Sequence, residues 1–469
     1  MKKILIYTLL SMFSTSLFSQ GYKIEVTIPS APNDTLLMAF YYGHVEMRYA
    51  KDTAYTDNKG YAVFSKATPL PGGMYLLAKK GVVLFDFLIS DDDSQQFAIY
   101  VEDNNVTGSL KFTNSPENEK YLETQRYMGE RQRRSMRLRE KAHADKNYET
   151  IAQDSLNITA QEIQAYVEEV VRQFPEKLIA SLVTAMKGSP PVPEIDIPED
   201  THGRDTILGL HIYQFNKNHY FDNINFSDKR LLHTPVLQPN LDHYFTNVLL
   251  QMPDSIIPQV EMVLERAKAD KDIFMYCTSH VCNTFINSPI MGMESVVVFI
   301  AKKYYLSGQA YWASEELLKQ MTDFVAYNQY SLIGMQAHEL NMQSLKGEEV
   351  SLYGLQAPYV VLFFYEPNCN HCQTEAPKLL EIYHKYKDSD VKFMAINIQV
   401  NYEEWKNFVE NGNYDWINVW DPPRKSQFPD FYNVATTPQV YLLDKGKKII
   451  ARRIESQNLD LILKNVLKR

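Results

Sequence analysis

The chain reads as a multidomain protein in three successive parts: an N-terminal antiparallel β-sandwich, an α-helical middle and a C-terminal α/β part. Three observations predict this. A length of 469 residues exceeds one ordinary domain. Hydrophobic residues, 45% of the chain, are enough to give each part its own core. The apolar periodicity turns from alternating to helical near residue 115, and to strands interleaved with helices near residue 334. The expected boundaries are 20–114, 115–333 and 334–469, after an export signal over 1–19.

The first part carries seven short runs rich in β-branched and aromatic residues, at 22–28, 35–42, 61–66, 74–80, 83–90, 95–102 and 108–114. Turn chemistry separates them, as at Asp57-Asn58-Lys59-Gly60 and Pro71-Gly72-Gly73. Strands this short and this spaced predict a sandwich. It contains no cluster of catalytic side-chain types, so scaffolding or contact is its expected role. The second part holds a charged helix over 117–146, a more apolar one over 158–186 and five further helical segments between 241 and 329. Gly188 to Asp200 contains four prolines and is expected to be a loop.

Lys2 and Lys3, an apolar run to about Phe18, and then Ser19 and Gln20 have the layout of a secretory signal peptide. Cleavage before Gln20 is expected, with periplasmic residence of the mature protein. No later apolar run reaches the roughly 18 residues needed to span a bilayer. A net charge of −9 argues against nucleic acid as a partner. An exported compartment permits disulfide chemistry, yet four cysteines are too few for a disulfide scaffold.

In the third part, Tyr359 to Tyr365 is a continuous apolar run, the mark of a strand buried on both faces. Cys369 and Cys372 follow, then a helix to about Lys387, a buried strand over 392–398 and a helix near Glu403 to Glu410. A short strand at 416–420 precedes a hairpin over 439–444 and 447–454, turned by Lys445-Gly446. Leu459, Ile462, Leu463, Val466 and Leu467 make one stripe of a closing helix. A mixed sheet with helices on both faces is the natural packing.

Cys369 stands where the buried strand ends and a helix begins. Unpaired N–H groups and the positive end of the helix dipole there favour thiolate over thiol. Cys372, about one turn on, is placed to resolve a mixed disulfide formed at Cys369. His371 between them could stabilise the thiolate further and make the couple more oxidising. Glu375 lies on the same helix side as Cys372 and could take its proton. Cys277 and Cys282 are five apart in a helical segment, too far for a bridge, and are expected to be buried thiols.

These residues carry a resemblance. "VVLFFYEPNCNHCQTEAPKL" (360–379), followed by "VATTPQVYLLD" (434–444), resembles the thioredoxin fold and, within it, the exported TlpA/ResA-type thiol–disulfide oxidoreductases. The resemblance covers residues 335–469 and implies a thioredoxin fold for the C-terminal part. It implies that Thr437-Pro438 is a cis-proline turn beside the active site, docking the backbone of an extended substrate. Asn370 joins Thr437 and Pro438 as a substrate-binding position. No cofactor is expected beyond a redox-active Cys369–Cys372 disulfide. The expected partners are exported protein thiols and disulfides and a redox-recycling partner. The chain departs from the family at Asn368, where tryptophan is common. Phe363 stands where cytosolic thioredoxins bury an aspartate, and His371 replaces the proline of most reductases. The stretch "HYFDNINFSDKRLLHTPVLQPNLDHYF" (219–245) is similar to a helical domain that precedes such modules in Bacteroides-like bacteria.

Two rival readings use the same residues. The Cys369–Cys372 pair could carry copper or zinc, although four-coordinate zinc needs further ligands. Alternatively, the first 330 residues bind an envelope partner and the C-terminal module is accessory.

Overall fold

A computed structural model describes residues 21–91, 94–102 and 106–467. The expected export signal lies outside them. The chain forms two compact units that divide after Tyr244, so the helical stretch expected over 115–333 is shared between them.

The first unit holds eight strands: β1 (Tyr22–Thr27), β2 (Thr35–Tyr42), β3 (His44–Tyr55), β4 (Tyr61–Lys66), β5 (Gly73–Lys79), β6 (Val82–Ile89), β7 (Gln96–Tyr100) and β8 (Lys111–Thr113). They form two four-stranded sheets, ordered β4-β1-β7-β8 and β3-β2-β5-β6. Pairing is antiparallel except between β1 and β7, which run parallel. A short helix, α1 (Val106–Ser109), takes up the start of the segment expected as a strand over 108–114. β3 is a strand that periodicity does not reveal. It lies at a sheet edge with most side chains exposed, so pairing with β2 rather than burial holds it.

Helices α2 (Pro116–Ala144), α3 (Glu149–Gln173), α4 (Leu178–Ala185), α5 (Arg204–His219) and α6 (Leu237–His243) belong to the same unit. β5 explains why some of them are there. Its Tyr75 and Leu77 face the sandwich interior, while Met74, Leu76 and Ala78 pack with Val167 and Val170 of α3 and Ile179 and Leu182 of α4. A strand covered on both faces reads as one apolar run. The joint is also polar: the Glu117 carboxylate accepts from the Ile179 N–H at 2.9 Å, and the Asn118 side chain pairs with both main-chain groups of Leu88. The helix expected over 158–186 is broken at Phe174-Pro175, because proline has no N–H to continue it.

The second unit begins with α7 (Pro253–Ala267), α8 (Lys271–Ile286), α9 (Glu294–Ile300) and α10 (Glu315–Asn328). In α7, Ile256, Val260, Val263, Leu264 and Ala267 form one buried stripe at helical spacing. Seven strands follow: β9 (Asn341–Ser344), β10 (Glu349–Ser351), β11 (Tyr359–Tyr365), β12 (Val391–Asn397), β13 (Ile417–Trp420), β14 (Gln439–Leu443) and β15 (Ile449–Arg452). Four helices are interleaved: α11 (Asn370–Tyr386), α12 (Tyr402–Asn411), α13 (Phe428–Phe431) and α14 (Ser456–Val466). The sheet order is β10-β9-β13-β12-β11-β14-β15, with β11, β12 and β13 parallel and β14 antiparallel to β11. β11 is an interior strand, between β12 and β14. Val361, Phe363 and Tyr365 point toward α11, α12 and α14, while Val360, Leu362 and Phe364 point toward Phe428 and Tyr432. The β14–β15 hairpin turns at Lys445-Gly446 as expected: the Lys447 N–H donates to the Asp444 carbonyl at 2.9 Å, and Lys447, just after the turn, takes a positive φ (+63°).

Candidate active site

The chain leaves the C-terminal end of β11, and Glu366 to Asn368 turn it into α11. Cys369 is the N-cap of that helix, with extended backbone (φ −82°, ψ 119°), and its Sγ accepts the Cys372 N–H at 3.3 Å. A side chain placed there meets N–H groups that have no partner inside the helix. Across the site, the Cys369 thiol donates to the Thr437 carbonyl at 3.5 Å. The Thr437-Pro438 peptide bond is cis. Cys369 is partly exposed, whereas Cys372 is fully buried (0%) in the apolar cluster that contains Phe363, Tyr365 and Ala376.

The two sulfurs differ in acidity accordingly. Burial is the largest influence on Cys369 and opposes ionisation. Hydrogen bonds from the Cys372 thiol and N–H, the Thr437 side chain and the His371 main-chain N–H together outweigh it, so the Cys369 thiol lies below the ordinary cysteine range. Burial pushes the Cys372 thiol up to about 12, and its hydrogen bond to Cys369 adds to the effect. The arrangement therefore separates a ready nucleophile from a guarded second thiol.

The remaining sequence-predicted residues fall at different distances from this chemistry. His371 is exposed, and the group by which it reaches Cys369 is its main-chain N–H. Asn370, the first residue of α11, is exposed beside the pair, and its carbonyl accepts from the Thr374 hydroxyl at 2.9 Å. The Glu375 carboxylate accepts from Lys378 Nζ at 2.6 Å and from the Ser456 N–H, at the start of α14, at 3.1 Å. Burial opposes its ionisation, but Lys378 and Ser456 hold the carboxyl below its ordinary range. The Lys378 pair lies within α11, and the Ser456 bond ties α11 to α14. α11 runs through Pro377 without ending.

Sequence reasoning missed the groups that fix the loops around the cysteines. Gln373 Nε2 donates to the Pro367 carbonyl at 2.8 Å, and Asn368 Nδ2 donates to Glu404 of α12 at 2.8 Å. Gln439 Nε2 donates to the Thr436 carbonyl at 2.9 Å. A groove of about 420 Å³ opens beside Asn368, lined by Gln373, Glu404, Asn407, Phe408 and Tyr414. Asn368 and Glu404 are 36 residues apart, and spacing carries no signal for their meeting. Cys277 and Cys282 are free and buried in α8, where burial raises both thiols.

A parallel β11-β12-β13 core with antiparallel β14, a Cys-x-x-Cys pair at a helix N-terminus and a facing cis-proline turn define a thioredoxin-like thiol–disulfide site. Known proteins place the module more narrowly. Residues 333–452 match the AhpC/TSA family, and residues 206–328 match a domain of unknown function, DUF5106. The thiol-disulfide oxidoreductase ResA of Bacillus cereus is 28% identical over 134 residues, covering 29% of this chain and 76% of that protein. A domain of a possible thiol-disulfide isomerase from Cytophaga hutchinsonii is 38% identical, covering 29% of this chain and 94% of the domain, with a TM-score of 0.28. A thioredoxin-like protein from Bacteroides caccae is 21% identical, covering 59% of this chain and 97% of that one, with a TM-score of 0.45. The C-terminal module is a thioredoxin-like domain of the thiol–disulfide oxidoreductase family, with ResA-type homologues.

Proposed function

We propose that the protein exchanges disulfides with exported proteins in the periplasm through the Cys369–Cys372 pair. The observation that carries this reading is the contrast at α11. Cys369 is a partly exposed helix cap whose thiol has a lowered pKa, and Cys372, one turn on, is buried and protonated. In the reductive direction the Cys369 thiolate attacks one sulfur of a substrate disulfide. That S–S bond breaks, a Cys369–substrate disulfide forms, and the departing thiolate takes a proton from water. Cys372 then loses its proton and attacks Cys369 Sγ. The Cys369–Cys372 disulfide forms and the second substrate thiol leaves, so two electrons pass from the pair to the substrate. A recycling partner's thiols restore the pair, and the same steps reversed oxidise a dithiol substrate.

Thr437 and Pro438 dock the substrate backbone in this scheme, with Asn370 on the rim. Glu375 acts as a tether between α11 and α14. The N–H of His371 tunes the pair, and the Cys369–Cys372 reduction potential is expected above the roughly −270 mV of thioredoxin. The N-terminal sequence supports export, and among the described residues no helix is long and apolar enough to cross a membrane. The test is insulin reduction with dithiothreitol as electron source. The chain accelerates it and the Cys369→Ser variant does not. Equal rates for the two would end the proposal.

A further inference from the structure

Arg452, in the edge strand β15, is fully buried (0% exposed), and among the described residues it forms no ion pair. A buried guanidinium without a carboxylate is costly and must find oxygen acceptors elsewhere. It finds them at the end of the helical segment: Nη1 donates to the Ser331 carbonyl at 3.0 Å and Nη2 to Asn328 Oδ1 at 2.8 Å. Asn328 is the last residue of α10 and is 3% exposed. Its Nδ2 donates to the Phe324 carbonyl at 2.8 Å, and its Oδ1 also accepts from Asn433 Nδ2 at 3.1 Å.

The polarity of this chain of bonds is forced. Arginine only donates, so Asn328 must turn its oxygen toward it, and Asn433 must then offer its NH₂. The Asn433 oxygen is left to accept the Ala435 N–H, at 3.4 Å, while the Asn433 N–H donates to the Tyr441 hydroxyl at 3.1 Å. Asn433 begins the loop that ends at Thr437, whose carbonyl meets Cys369. Gln439 holds the far end of that loop through Thr436. Between these two anchors, Ala435 and Thr436 are exposed. The loop therefore has few contacts of its own to keep it in place.

We propose that Asn328 is a positioning residue for the redox site: through Asn433 it sets the loop that presents Thr437 to Cys369 and to substrate. This rests on the thiol-exchange reading above, and it makes the helices before residue 329 part of the redox machinery. The chain would then recognise an extended polypeptide disulfide with a surface shaped by both parts of the second unit.

The experiment compares wild type with Asn328→Leu and Asn328→Asp in the full chain. It measures KM and kcat for insulin reduction and the pH midpoint of Cys369 alkylation by iodoacetamide, read on the Cys369 peptide. Asn328→Leu is expected to raise KM about tenfold, the effect of losing one hydrogen bond, with kcat within about twofold of wild type. The alkylation midpoint moves up as the Thr437 side chain, one of the groups that lower the Cys369 thiol, leaves the sulfur. Asn328→Asp keeps an acceptor for both donors and returns both quantities toward wild type. A merely structural role would lower the melting temperature and move neither, and a folded Asn328→Leu protein with wild-type KM and midpoint overturns the proposal. If Asn328→Leu does not fold, Asn433→Ala, which leaves the Arg452–Asn328 bond intact, must show the same two shifts or the proposal fails. Wild type no faster than Cys369→Ser on insulin would overturn the thiol-exchange reading instead, and the alkylation midpoints still decide the role of Asn328.

Discussion

The second unit contains two cysteine pairs on helices, each with a histidine between its members, and the two pairs have opposite chemistry. Cys369 caps the start of α11, where burial opposes ionisation but N–H groups at the helix start, the Cys372 thiol and a facing Thr437 outweigh it and lower the pKa of its thiol. Cys277 and Cys282 lie inside α8, fully buried (0% and 2% exposed), with every nearby N–H spent on the helix itself. Burial there pushes the thiols up, Cys282 to about 12. Cysteine and histidine content is the same in "CNHC" and "CTSHVC". What differs is whether the sulfur sits at the end of a helix or within it.

The strongest way to break this comparison is to remove the capping sulfur. Cys369→Ser is expected to cut thiol–disulfide turnover by on the order of a thousandfold or more, whereas Cys277→Ala with Cys282→Ala leaves turnover near wild type. Insulin reduction separates the two. Cys372→Ser should leave the first attack intact and accumulate a mixed disulfide at Cys369, seen as an added substrate mass on the intact protein.

A smaller effect tests which part of His371 matters. His371→Pro deletes the main-chain N–H that reaches Cys369 and is expected to lower the reduction potential by roughly 30 mV, equivalent to about 1.4 kcal/mol. His371→Ala keeps that N–H and should move the potential much less. Equilibration in glutathione buffers gives both values, and an equal shift in the two variants would assign the tuning to the imidazole.

Glu375→Gln comes next. Loss of the carboxylate weakens the ties to Lys378 and Ser456, so the melting temperature should fall by a few degrees, for roughly 1 kcal/mol lost, with turnover changed less than about threefold. A tenfold loss of turnover with an altered pH profile would instead make Glu375 a proton relay.

The smallest effect is a pH dependence of stability in which Cys369 has the opposite sign to Cys277, Cys282 and its own neighbour Cys372, whose thiol burial pushes up to about 12. The folded state keeps Cys277 and Cys282 protonated, and the unfolded chain ionises them near pH 8.5, so they lower stability as pH rises above that value. Cys369 ionises earlier in the folded state, so its contribution grows as pH rises from its lowered folded pKa toward about 8.5. Urea midpoints between pH 7 and 10 on the reduced protein should therefore decline at the alkaline end, and the Cys277→Ala, Cys282→Ala variant should decline less.

Several elements were legible because one chain segment carried all the information. The run Tyr359 to Tyr365 announced a strand covered on both faces, Cys369 to Pro377 a capped helix start, and the alternation of the first part a sandwich. Others were not. β3 has no buried face to impose a period, and α5 has no buried side chain at all. The joining of α2, α3 and α4 to the sandwich rests on which faces meet, and a helix stripe does not name its partner.

The sequence by itself determined that the C-terminal module is a mixed sheet with helices on both faces and that Cys369 stands at a helix N-terminus, because strand burial and helix ends follow from neighbours within a few residues; the thioredoxin fold came from the resemblance of its motifs. Only the tertiary structure decided that Glu375 meets the Ser456 N–H. It alone brought Asn328, Arg452 and Asn433 together across more than a hundred residues to anchor the Thr437 loop. A buried hydrogen bond is chosen by the atoms that packing brings within 3 Å or so, and no spacing along the chain encodes that meeting.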